Sequence, residues 1–283
     1  MERLRKDIDS AVIAAALSLM LGAAVQTMLL FVGRVTALPD FIRLSVITLS
    51  AMLVPVFITH SPKNRTVFPD NKLSAGKSAL FIIFGFAVCT ALNFLISLLR
   101  SFISAGSSAS SLSDNGNITG LLLLLFSAGI LPAVLEEILF RGKIMPLLME
   151  GGKGFAVIVS AMLFAFIHNG IFNMLFAFTA GLVIGFIRSE TKRLVPCIIV
   201  HLLNNALALL LMFSESSGGA ENSKILFYIT GVASIIIAGA LLPFVLKLSS
   251  KDNLRLTKAP FLMLFRSPVF YILIVSAVIM QLF

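Results

Sequence analysis

The stretch AGILPAVLEEILFRGKI, residues 128–144, ends a long apolar run with two adjacent glutamates, Glu136 and Glu137, and has Arg141 one turn later. Its other residues are typical of a membrane helix. An ionisable side chain at the centre of such a helix costs on the order of 2.5–3.5 kcal/mol, so it usually faces a cavity or a partner. The pair therefore indicates either a helix end near the headgroups, with Arg141 as an i,i+4 ion-pair partner, or a functional site.

The composition is that of a polytopic membrane protein. Of the 283 residues, 58% are hydrophobic and 12% are charged, whereas about a quarter are charged in soluble domains. Mean hydropathy is +1.03. The pattern predicts an all-α transmembrane helix bundle of about eight or nine spans, each of about 20 residues. The predicted spans are 11–32, 41–59, 78–99, 119–140, 154–168, 171–188, 194–213, 225–246 and 268–282.

Three regions follow from this division: an N-terminal three-span region at 1–117, a core at 118–213, and one or two spans at 214–283. The basic start MERLRKDID is typical of a signal peptide, but the apolar run after it is too long, so we expect a retained span. The short last segment either spans at a tilt or lies in the interface.

Polar loops, expected to be mobile, are predicted at 60–77 and 104–117. Cys89 and Cys197 indicate no disulfide framework and no Cys-based metal motif.

The distribution of Lys and Arg predicts the orientation. With the N-terminus in the cytoplasm, 18 of the 22 basic residues fall in cytoplasmic segments, as the positive-inside rule requires. The net charge of +9 is therefore loop charge, and it does not indicate nucleic-acid binding. We expect an integral protein of a bacterial cytoplasmic membrane, with polar groups deep in its core.

Counting along the helices predicts where those groups lie. Glu136 and His168 are each 16 residues from Gly152, and equal distance from the turn of an antiparallel hairpin means equal depth. His201 lies 8 residues beyond Arg193, about 12 Å of helix, which brings it to the same level, some 10 Å inside the cytoplasmic boundary. Asn205 shares the His201 face of its helix; such an Asn also occurs as a plain interhelical hydrogen-bonding residue.

Three motifs on separate apolar helices carry a family resemblance: EEILFR (136–141), FAFIH (164–168, beginning at Phe164) and HLLNN (201–205). In this order they resemble the CAAX protease and bacteriocin-processing (CPBP) family of intramembrane proteases, which includes the type II CAAX prenyl endopeptidases. The resemblance covers about 119–213. The spans before and after it carry no recognised motif.

The resemblance implies hydrolysis of a peptide bond within or beside the membrane. Glu136 and His168 would hold and activate a water, and His201 and Asn205 would face the developing oxyanion. Glu137, Arg141 and Phe164 would support them, Arg141 by fixing the Glu137 side of the helix. The implied partners are a membrane-bound protein or peptide substrate, such as a bacteriocin or pheromone leader peptide, and the bilayer.

The residues leave two questions open. Glu136, His168 and His201 are also a plausible set of catalytic zinc ligands, and family members have been described both as metalloproteases and as glutamate-dependent proteases; we favour a water mechanism without metal. The same buried groups would also suit a transporter or ion-binding protein, although the paired broken helices of repeat transporters are not evident. A non-catalytic immunity or scaffold role is the third alternative.

Overall fold

The computed structural model describes residues 1–33, 39–59, 74–103, 118–249 and 256–282. These residues are helical and contain no β-strand, which confirms the predicted all-α membrane bundle. The polar loops predicted at 60–77 and 104–117 lie outside the described residues, apart from 74–77. The helices are α1 (Glu2–Gly33), α2 (Asp40–Ile58), α3 (Ala75–Ile103), α4 (Ile118–Leu124), α5 (Leu131–Leu139), α6 (Met145–Leu148), α7 (Lys153–Phe166), α8 (Ile171–Thr191), α9 (Val195–Gly218), α10 (Ala220–Leu248), α11 (Lys258–Phe265) and α12 (Pro268–Leu282).

The number of full-length spans is smaller than nine. Seven helical segments of the described chain are long and apolar enough to cross a membrane, and an eighth is obtained if α11 and α12 count as one span bent by 68°. The predicted fifth span is α7, which has only 14 residues and is about 21 Å long. The predicted number of spans is higher than the observed number because α7 is as apolar as a span. Its length is less than the thickness of the hydrocarbon core of a bilayer.

The short α7 is accommodated because protein surrounds it. Ten of its 14 residues are buried, and a helix that is apolar all round belongs in a core. It packs against α8 on one side and against α1 and α6 on another. The helix begins after Gly152, whose φ of +105° lies in a region that favours glycine. This turn lies where the sequence predicted the hairpin.

The segment from Ile118 to Gly151 is one continuous helical segment of 34 residues. It contains α4, α5 and α6, separated by two π-helical stretches, Leu125–Ile130 and Phe140–Ile144, and it ends in a 3-10 turn at Met149–Gly151. The glutamates therefore lie on a short α-helical piece between two π-helical stretches. Such stretches are rare and often occur at functional sites.

Two apolar clusters surround this segment. One is formed mainly by α1, α7 and α12 together with the Leu139–Leu148 part of the long segment. The other is formed by α3, α8, α9 and the end of α10. Because α7 belongs to the first cluster and α8 to the second, the α7–α8 hairpin joins the two, and the polar motifs lie around it.

Candidate active site

Glu137 and Arg141 form a buried ion pair on adjacent turns. Arg141 Nη1 donates to Glu137 Oε1 at 2.8 Å, and neither side chain is exposed. Arg141 Nη2 donates to the Gly181 carbonyl at 3.1 Å, and the guanidinium lies 4.7 Å from the centre of the Phe164 ring. Charge-assisted bonds of this kind are strong in a low-dielectric interior. The contact links α5 to both helices of the α7–α8 hairpin.

His201 lies between the two glutamates. Its Nδ1 is 2.9 Å from Glu137 Oε1, and its Nε2 is 3.8 Å from Glu136 Oε2. Because a carboxylate accepts, Glu137 accepts a hydrogen bond from the Nδ1–H of His201. This bond selects the tautomer of a neutral ring and leaves Nε2 on the Glu136 side. The motif of α9 is thus connected through Glu137 to Arg141.

His168 is held in the turn that follows α7. Its Nδ1 is 2.8 Å from the Phe164 carbonyl, and its ring lies edge-on to Phe164 at 4.7 Å between centroids. Phe164 also contacts the His201 ring, at 5.8 Å between centroids. A carbonyl can only accept, so Nδ1 of His168 carries the proton of this bond and the ring has Nε2 available for another partner. Phe164 thus touches both imidazoles and the guanidinium.

Glu136 and His168 line one cavity of about 220 Å³. Its wall comes from α1, α2, the α5 helix, the turn after α7 and the end of α12. The largely buried Glu136 is directed into it, in contrast to the fully buried Glu137. The other polar residues of the wall are Ser18, Gln26, Thr48 and Asn169. A cavity with a carboxylate, an imidazole and several hydrogen-bonding groups is suited to hold water and a peptide group.

Asn205 is placed differently from the other motif residues. Its Nδ2 donates to the Gly129 carbonyl at 3.4 Å, and it does not line the cavity. Gly129 belongs to the first π-helical stretch, where the hydrogen bonds of the backbone are rearranged. Asn205 therefore links α9 to that stretch, one turn after His201, and its proposed oxyanion role stays a prediction.

A second cavity has a different character. It measures about 440 Å³ and lies among α3, α7 and α8. Its lining side chains are apolar: Phe84, Val88, Gly154, Val157, Ile158, Leu182, Val183, Phe186 and Leu256. Without an acid, a base or a nucleophile, it is not a reaction site, despite its size.

Residues 118–207 match the family model of the type II CAAX prenyl endopeptidase Rce1-like proteins. The match confirms the CPBP resemblance, and it indicates a CAAX-type intramembrane protease. No curated protein and no solved structure was found to match the chain.

The Rce1-like segment contains all the motif residues, from Glu136 to Asn205. Part of the cavity wall lies outside it, on α1, α2 and α12. No recognised motif marks those residues in the sequence, so they were not predicted. The available signal was the presence of polar side chains within apolar runs, as at Gln26, Thr48 and Gln281.

The placement of the motif residues bears on metal binding. Within the described residues, no group of three His, Cys, Asp or Glu side chains is arranged to hold a metal ion. The fully buried Glu137 Oε1 is already shared by Arg141 and His201. The residues as placed do not form a three-ligand zinc site, and the ligand set Glu136, His168 and His201 stays a prediction.

Proposed function

We propose that the protein is an intramembrane endopeptidase that cleaves a membrane-associated protein or peptide with a water activated by Glu136 and His168. One observation carries the proposal: the largely buried Glu136 and the His168 imidazole line the same polar cavity inside an apolar bundle. The match of residues 118–207 to the Rce1-like proteins supports the reaction class. Peptide hydrolysis in an apolar medium requires such a place for water.

The reaction follows from the groups in the cavity. Glu136 takes a proton from the water as the water oxygen forms a bond to the scissile carbonyl carbon. Nε2 of His168 accepts a hydrogen bond from the other O–H of that water and so orients it, and that hydrogen stays on the oxygen. The tetrahedral intermediate then collapses, the C–N bond breaks, and the proton held by Glu136 passes to the leaving nitrogen. The products are a new carboxyl group and a new amine.

The remaining motif residues would stabilise the charge that develops. Donors aimed at the oxyanion contribute on the order of 3–4 kcal/mol each. His201, 3.8 Å from Glu136, would donate from Nε2 as an imidazolium, because its Nδ1–H is already bonded to Glu137. Asn205 lies one turn further along α9, and these two residues are our candidates. Glu137 and Arg141 act indirectly, because their bonds hold His201 in place.

The substrate class follows from the walls of the cavity. Gln26 on α1 and Thr48 on α2 line it, and within the described part of the chain their side chains make no hydrogen bond. An amide and a hydroxyl in an apolar helix are suited to the N–H and C=O groups of an extended peptide. We propose a membrane-bound peptide, such as a leader peptide, cleaved on the cytoplasmic side of a bacterial membrane.

Trapping tests the function. Membranes that contain the Glu136→Ala variant should accumulate the uncleaved substrate, which mass spectrometry identifies by comparison with wild-type membranes. The peptides recovered are then presented to purified protein in proteoliposomes. Wild-type protein should cleave them, and Glu136→Gln should lower the rate by about 100-fold or more, because the general base is lost.

The control is Glu221→Gln, which changes an exposed glutamate at the start of α10 and should leave the rate unchanged. Equal cleavage by wild type and Glu136→Gln would eliminate the mechanism. Uptake or efflux of an ion by the same proteoliposomes, without cleavage, would favour the transporter alternative instead.

A further inference from the structure

Gln281, near the end of α12, bonds to the turn that carries His168. Its Nε2 donates to the His168 carbonyl at 3.1 Å, and its Oε1 accepts from the Gly170 N–H at 2.6 Å. These two backbone groups belong to different helix ends, since α7 ends at Phe166 and α8 begins at Ile171. One side chain from a distant part of the chain thus joins the end of α7 to the start of α8.

The chemistry of the turn explains why an amide fits there. A helix end leaves carbonyls without partners, and a helix start leaves N–H groups without partners. A glutamine side chain offers an acceptor oxygen and a donor nitrogen on one rigid plane. The opposite orientation of the amide would set its NH₂ against the Gly170 N–H, so only one orientation satisfies both groups.

The turn is short and needs a fixed geometry. Gly170 has a φ of +85°, which favours glycine. Asn173 Nδ2 donates to the Asn169 carbonyl at 2.8 Å, so one local side chain already supports the turn from α8. Gln281 supports it from α12, on the side of the cavity that Met280 lines.

Helix α12 is anchored at its other end as well. Ser267, immediately before α12, donates from its hydroxyl to Asp9 Oδ1 of α1 at 2.6 Å. Helix α12 also packs along α1. A helix held at both ends can place its last turn reproducibly, which Gln281 requires in order to act at a distance of 113 residues along the sequence.

We propose that Gln281 is a positioning residue for His168: it fixes the turn after α7, and through it the direction of the imidazole toward Glu136. The helix that carries Gln281 lies outside the matched segment 118–207, so this assigns a role to the C-terminal region. The catalytic part of the inference rests on the proposed peptidase function, whereas the structural part stands on the two hydrogen bonds.

Hydrogen exchange of the full-length protein in detergent tests the structural part. In Gln281→Leu, the amide of Gly170 should exchange about fivefold faster or more, because it loses its acceptor. Gln281→Glu keeps an acceptor oxygen for that amide and should stay closer to wild type. The matched control is Val278→Leu, which replaces an exposed valine of the same helix by leucine. It should leave the exchange of the Gly170 amide unchanged. Wild-type exchange at Gly170 in Gln281→Leu would overturn the proposal.

Kinetics test the catalytic part, with the peptides recovered from Glu136→Ala membranes as substrate. A displaced His168 should lower kcat on the order of 10- to 100-fold in Gln281→Leu and leave KM unchanged, since the imidazole acts on water. Gln281→Glu should recover part of kcat.

Faster exchange with a wild-type kcat would overturn the positioning role. If wild type itself cleaves none of these peptides, the proposed function fails, and the exchange result alone decides whether Gln281 holds the turn.

Discussion

At the scale of single residues, Glu137 connects the first motif to the third. Its Oε1 accepts from Arg141 and from His201, so the carboxylate joins its own helix to α9. Consecutive residues of a helix diverge by about 100°, and the sequence therefore predicted a supporting role for Glu137 and a different one for Glu136. The imidazole of His201 bridges that divergence, because its two nitrogens face the two glutamates.

Breaking this pair should destabilise the fold. Glu137→Gln leaves the buried guanidinium of Arg141 without a carboxylate, and we expect the free energy of unfolding to fall by about 3–5 kcal/mol. The double variant Glu137→Leu with Arg141→Met removes both charges and should recover much of that loss. Thermal unfolding in detergent micelles measures both.

The exposed pair of Glu2 and Lys6 on α1 provides the control, since Glu2→Gln should leave the midpoint unchanged. A wild-type midpoint for Glu137→Gln would show that the buried pair does not hold α5 to the hairpin. Activity would then have to be explained without a fixed His201.

Metal dependence is also a property of single residues, and our prediction is a mechanism without metal. We expect purified active protein to carry substoichiometric zinc and to keep its rate in the presence of a chelator, because Glu136, His168 and His201 do not converge as three ligands. Elemental analysis and a chelator titration measure this. One zinc per active chain, lost in His201→Ala, would contradict the water mechanism and leave the protease assignment intact.

At the scale of elements, the α7–α8 interface depends on small residues. A Cβ at Gly181 would lie 3.0 Å from Ala161 Cβ, 3.1 Å from Ala161 Cα and 3.4 Å from Arg141 Nη2. Close backbone approach through small residues is typical of membrane helix pairs. The interface therefore lets Arg141 reach the Gly181 carbonyl.

A larger side chain should force these helices apart. Gly181→Val should lower the free energy of unfolding by about 1–3 kcal/mol through overpacking, and should lower cleavage by displacing Arg141. Gly239→Val on α10 is the matched control, because a Cβ at Gly239 meets no atom within 4 Å. Thermal unfolding compares the two variants, and equal midpoints would refute the packing argument.

The sequence could predict the elements but not all of their partners. Apolar runs predicted the helices, and equal counts from Gly152 predicted that Glu136 and His168 share a depth; both line one cavity. These predictions need only helix geometry. The hydrogen bonds of Gln281 and the place of Gln26 in the cavity wall depend on how α12 and α1 pack against distant helices. The π-helical stretches around α5 have no local sequence signal that we recognised. Such features arise from long-range packing.

At the scale of the whole molecule, polar contacts between helices agree with the charge pattern. The ammonium group of Lys143 donates to the Val56 carbonyl at the end of α2. The ion pair of Lys153 and Glu190 joins the start of α7 to the end of α8. In each contact, both partners lie in parts of the chain that the basic residues assign to the cytoplasmic side. The sidedness in the cell stays a prediction.

Cysteine labelling tests that sidedness. Lys72→Cys and Ser110→Cys lie outside the described residues, on either side of α3, whose 29 residues extend about 43 Å. The background carries Cys89→Ala and Cys197→Ala, although both thiols are fully buried and should label slowly. With an impermeant maleimide, position 110 should react in intact cells and position 72 only in inverted vesicles, because the charge asymmetry keeps the N-terminus and the 60–77 loop in the cytoplasm. Reaction of both positions from the same side would mean that α3 does not cross the membrane. The reverse pattern would retain the bundle but invert it, and would move the proposed cleavage to the other face.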